Sequence, residues 1–385
     1  MNSQKNGNLA KVVAFFVITV ILVCIVAFAS NAENWQFPTN DDDNSGNADN
    51  ENGETDGNKD VTEDSDGNLD GTNPDTDTPV VNQIPEYLHY LTGLQIEQSE
   101  AYIKPLAFVF NTDSPLYGIS SSYLTVEFPT ENAGSRYLCY IDNATSLGKL
   151  GSIAPTRDYI SNIAGIFGGV QIYEGNDSAF TQSTNAFIPN HGVKLDLTSK
   201  AGYSYTEYLS FKYSNGNLIS ALISNSGTNL TMPTSPTLPY DFIGYFDDPL
   251  APSAAAVKLI LPTDGTKSTE LTYSSELGKY VLSKNSTNVR DLLNDSVCSY
   301  DNVFVLYTDA VTYETENATQ TVYETLSGGK GLYLTKGGYV NIRWSVDASG
   351  AMTFLDENGL RLTVNRGTTY INFTKSSLSQ KTVIL

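Results

Sequence analysis

Glu127 and Glu131, with Pro129 between them, are the first residues whose type and spacing suggest chemistry. Two carboxylates flanking a scissile bond are the working pair of glycoside hydrolases, one handling the leaving group and the other attacking or activating water. Pro129 disfavours a helix interior, so the segment reads as extended. On a strand rising ~3.3 Å per residue the two carboxylates would stand about 13 Å apart, beyond the ~5 to 9.5 Å such pairs use. Arg136 and Arg157 offer a plainer role for both acids, as ion pairs fixing a strand-to-helix junction. With Tyr159 they make a candidate polar cluster of Glu127, Glu131, Arg136, Arg157 and Tyr159, with no residue assigned a catalytic role.

The remaining candidates carry less. His191, in Asn190-His191-Gly192, would need a nucleophile such as Ser204, and no Gly-x-Ser-x-Gly elbow supplies the context. A hydrolase of cell-wall glycan or peptide using Glu127, Glu131 or His191 is therefore the alternative reading. His89 lies among aromatics and reads as packing. Asp41-Asp42-Asp43-Asn44-Ser45-Gly46 begins like a calcium loop, but Asn52 stands where the bidentate Glu belongs. Gly328-Gly329-Lys330-Gly331 lacks the Walker spacing and suits a hairpin turn. Two His and three Cys leave little room for zinc, and neither a metal site nor a cofactor is expected. Cys139 and Cys298 are expected as two separately buried thiols.

Composition says where these residues are carried. The 385 residues hold 22 Lys and Arg against 43 Asp and Glu, a net charge of -21 that disfavours nucleic acid as a partner. Most of that charge lies in residues 31–83, which are rich in Asp, Asn, Gly, Glu and Thr and nearly free of apolar residues. Such a segment buries too little surface to offset its chain entropy and reads as a disordered, self-repelling stalk. Residues 12–29 are apolar except for Thr19, and as a helix they span about 27 Å, close to a bilayer's hydrocarbon core. Lys5 and Lys11 precede the run, so the positive-inside bias places the bulk of the chain outside the cytoplasm. Cleavage after Ala27-Phe28-Ala29, giving a secreted protein, is the competing outcome.

Order is expected from about Ile84. Apolar strands are read at residues 106–110, 137–141 and 170–173, and helical spacing at 157–167. A proline-spaced passage at 232–239 suggests a domain boundary. Beyond it come short strands and hairpins, with a continuous apolar run at 303–307. In residues 339–346, Val340, Ile342, Trp344 and Val346 share one face and Asn341, Arg343 and Ser345 the other. Asn358-Gly359 signals a two-residue hairpin. The expected fold is α+β. A transmembrane anchor or signal peptide at 1–30 and an acidic linker at 31–83 lead into a mixed α/β domain at 84–232 and a β-rich meander domain at 240–385.

Several stretches, in order, resemble the YerB-type lipoproteins of Gram-positive bacteria. These are Leu91-Thr92-Gly93-Leu94, Glu127-Phe128-Pro129-Thr130-Glu131 with Arg136, and the segment around Gly151, Arg157 and Tyr159. In the C-terminal half they are Asp301-Asn302-Val303-Phe304-Val305, Gly328-Gly329-Lys330-Gly331, Trp344, and Asn365-Arg366-Gly367-Thr368-Thr369-Tyr370. Ala154 stands where the family has its first Arg, Tyr173 or Glu174 where it has a His, and Tyr203-Ser204-Tyr205-Thr206 where it has His-Asn-Leu-Tyr-Thr. The resemblance implies a fold and an envelope location, with no established reaction. Family members are held by lipid on a Cys, whereas this chain is expected to use its apolar helix. The partners that follow are the membrane, through that helix, and a cell-wall or envelope component.

Overall fold

The computed structural model describes residues 83–385 except 132–133, 178–192, 208, 233–236, 265–266 and 315–318. The apolar run, nearly all of the acidic segment, the calcium-loop-like stretch, His191 and part of the proline-spaced passage lie outside the described residues. Among the described residues no helix is long and apolar enough to cross a membrane.

Strands dominate. The first region supplies β1 (Leu106–Asn111), β2 (Leu124–Pro129), β3 (Ser135–Ile141), β4 (Leu150–Ile153), β5 (Val170–Tyr173), β6 (Lys194–Asp196), β7 (Tyr205–Glu207) and β8 (Phe211–Ser214). The second supplies β9 (Lys258–Asp264), β10 (Lys267–Ser274), β11 (Lys279–Lys284), β12 (Asn302–Thr308), β13 (Ala310–Glu314) and β14 (Thr319–Tyr323). It continues with β15 (Gly328–Thr335), β16 (Gly338–Val346), β17 (Met352–Leu355), β18 (Thr369–Lys375) and β19 (Val383–Ile384).

One 14-stranded sheet takes strands from both regions. Its main path runs Ala254–Ala255, β16, β15, β12, β18, β2, β3, β1, β4, β8, β7. The joint is β18, which pairs in parallel with β12 on one side and with β2 on the other. Residues 84–232 and 240–385, expected as two domains, therefore share one sheet instead of closing two. The physical reason is that β2 and β12 each present an edge that only β18 satisfies, and unpaired backbone groups in a core are costly.

Both faces are covered at the centre of this sheet, so central strands such as β1 and β12 read as continuous apolar runs. Along β1, Leu106, Phe108 and Phe110 enter one core and Ala107 and Val109 the other. On the first face lies a six-stranded sheet containing β9, β10, β11 and β19, which contributes Leu259, Leu261, Leu271 and Leu282. On the second lies α1 (Asp158–Ile166), whose Ile160, Ile163 and Ala164 pack with Phe128, Trp344 and Phe373. A further helix, α2 (Gly216–Ser226), adds Ile219 and Leu222 to the first core. It starts where the Asn215 side chain accepts the Leu218 N–H at 3.0 Å and ends on Gly227 at φ 64°. Cys139 and Cys298 are both buried and unbonded, and burial pushes the Cys298 thiol up to about 12.

Candidate functional site

The candidate cluster divides between the two faces of the large sheet. Glu131 lies just past β2, on the α1 side. Arg157, the residue before α1, gives it a two-pronged pair, Nη1 to Oε1 at 3.1 Å and Nη2 to Oε2 at 3.0 Å, and turns its Nε to Asp177 at 3.0 Å. The Thr321 backbone N–H, on β14, also donates to Glu131. Burial alone would raise the Glu131 carboxyl, but the Arg157 and Thr321 donors hold it below the usual carboxylate range. Among the described residues, the acid that Arg136 reaches is Asp177, at 3.8 Å. The Tyr159 hydroxyl accepts from Arg157 at 3.4 Å, and burial pushes it up to about 12. Its ring packs on Phe128 and Tyr323. The cluster thus ties the end of β2 to the start of α1 and to β14.

Glu127 points the other way, into the interface between the two sheets, and is fully buried. Alternation along β2 sends Val126 and Phe128 to the α1 side, so Glu127 cannot meet either arginine. Its partner is Lys284, at the end of β11, together with hydroxyl donors from Ser135, Tyr370 and Thr269. Asn372 Nδ2 donates to Oε2 at 3.1 Å. Burial would raise this carboxyl, and the Lys284 charge with the Ser135 and Tyr370 hydrogen bonds brings it below the usual range. A carboxylate offers about four lone-pair sites. Five donor groups already crowd Glu127, leaving none for an outside molecule.

Expectation and structure part here. Glu131 and Arg157 meet as an ion pair; Glu127 pairs with Lys284, and Arg136 with Asp177. Two carboxylates on opposite faces of a sheet cannot flank one glycosidic bond. Ser204, the nucleophile weighed with His191, donates to Glu174 at 2.9 Å. The residues around Glu127 were missed from sequence. Their signal is a polar stripe in β18, where Tyr370, Asn372 and Thr374 share one face between apolar Ile371 and Phe373.

A separate open groove of about 720 Å³ lies where the smaller sheet stops. Its floor includes Lys330, Tyr339, Asn341 and Arg343 of β15 and β16, and one wall is Ser376, Ser379, Thr382 and Ile384 beside β19. Lys330 and Arg343 stand directly opposite in the antiparallel register, both exposed. Like charges so placed repel. Neither has an ion-pair partner among the described residues, since Glu357, the acid of the lining, accepts instead from Asn341 Nδ2 at 2.8 Å.

Residues 259–371 match the family model described as the C-terminal domain of a protein of unknown function, DUF3048. The fold matches the crystal structure of the YerB protein from Bacillus subtilis with a TM-score of 0.64 and 18% identity, over 78% of this chain and 100% of that one. The chain therefore has the fold of YerB and, over residues 259–371, is similar to the DUF3048 C-terminal domain. No curated protein matches it in sequence.

Proposed function

We propose that the chain is a non-catalytic binding or assembly module of the cell envelope, held outside the cytoplasm by the apolar run at residues 12–29 and spaced from the membrane by its acidic segment. Glu127 and Glu131 carry this reading, because each is occupied by its own chain and neither can act on a bound molecule. The binding surface is the groove holding Lys330 and Arg343. In a protein of net charge -21, two unpaired cations facing each other across a strand pair suit a ligand bearing carboxylate or phosphate groups, which would relieve their repulsion.

Co-sedimentation of the purified protein with isolated acidic wall polymer tests this. Replacing both Lys330 and Arg343 by Ala should weaken binding by roughly tenfold or more, since a hydrogen bond to a charged group contributes ~1.5 to 3 kcal/mol. Unchanged binding, or wall turnover that disappears in Glu131→Gln, would sink the reading. Protease treatment of intact cells checks the placement: the region from residue 84 should be cut without lysis.

A further inference from the structure

Glu127 holds a lysine amine on one carboxylate oxygen and a carboxamide on the other, and we propose that these two neighbours react, joining Lys284 to Asn372 in an intramolecular amide bond between the two sheets. The Lys284 Nζ meets Oε1, and Asn372 Nδ2 donates to Oε2 at 3.1 Å. Secondary structure supplies the alignment. Glu127 and Asn372 are directly opposite on β2 and β18, and Lys284 is the last residue of β11 in the facing sheet. The Lys284 amine is further fixed by Ser135 Oγ at 3.0 Å and Thr269 Oγ1 at 2.6 Å. Behind the carboxamide, the Thr374 hydroxyl donates to Asn372 Oδ1 at 2.7 Å. That oxygen is where negative charge develops when an amine attacks the carboxamide carbon. Tyr137, Tyr300 and Tyr370 are buried around the site, and Glu127 and Asn372 are themselves fully buried. A structural ion pair needs only the lysine and the acid. The carboxamide on the second oxygen and the donor behind its carbonyl are the parts of an acyl transfer.

The atoms balance without any co-reactant. Glu127 takes one proton from the Lys284 ammonium, and the freed lone pair on Nζ attacks Cγ of Asn372. As the Cγ–Nδ2 bond breaks, a second ammonium proton goes to the departing nitrogen, which leaves as ammonia. The third stays on the new amide nitrogen. Glu127 ends protonated and neutral, the favoured state for a buried carboxyl whose cation has gone. The Lys284 side chain is 22% exposed, which opens a way out for the ammonia.

The full chain, folded and then denatured and digested, should yield a branched peptide joining the segments of Lys284 and Asn372, lighter than their sum by one ammonia. Two linear peptides of unaltered mass from the folded wild type overturn the proposal. Lys284→Arg keeps the positive charge but removes the nucleophile. Verified as folded by circular dichroism, it should give linear peptides only, and a persistent ammonia-deficient cross-link to Asn372 there would place the chemistry elsewhere. Glu127→Gln should slow the linkage by roughly a hundredfold or more, the usual worth of a positioned proton carrier. Linkage at the wild-type rate in that variant overturns the part given to Glu127.

Discussion

Arg157 holds Glu131 with both terminal nitrogens and Asp177 with the third, so one side chain satisfies two acids. Removing it leaves a mostly buried carboxylate without its cation, a change that costs about 3–5 kcal/mol. Arg157→Ala should lower the urea midpoint accordingly. The same pair sets an acid limit. Because folding lowers the Glu131 carboxyl below its ordinary value of 4.5, its contribution is complete above that pH and lost as pH falls through the folded value. Urea titrations at neutral and acid pH should show this loss in the wild type and a smaller one in Glu131→Gln. The Glu131–Arg157 pairing was legible from charge and the position of the helix. The partner of Glu127 was not, because Lys284 lies 157 residues away and only the stacking of two sheets brings it near.

At the scale of elements, apolar runs and alternation were sufficient for β1, β3, β5, β12, β16 and α1. β2 and β18 were visible only as motif fragments, since each carries polar residues inside a core and so breaks the pattern of a buried strand. α2 was hidden for another reason. Its Ser- and Asn-rich sequence has a weak helical preference, and its start depends on one cap. Asn215→Ala should therefore destabilise the protein by about 1 kcal/mol in thermal unfolding. Gly216→Ala should cost more, because a Cβ there would fall 2.1 Å from the Thr145 carbonyl oxygen, and that backbone would have to move.

For the whole molecule, the proline-spaced passage marks a change of composition that the sheet ignores. Pairing across it was unreadable from local signals because nothing near β2 announces a partner in the second region. A chain ended at residue 368 loses β18 and with it the parallel pairs to β2 and β12. It should show no cooperative thermal transition, while a full-length chain does. That central position also sets a timetable. Glu127 and Asn372 are separated by 245 residues yet lie side by side, so neither half can settle until the far one has been made. A polypeptide emerging from the ribosome would stay loose through most of its synthesis, and a loose chain is the form that a secretion channel can thread.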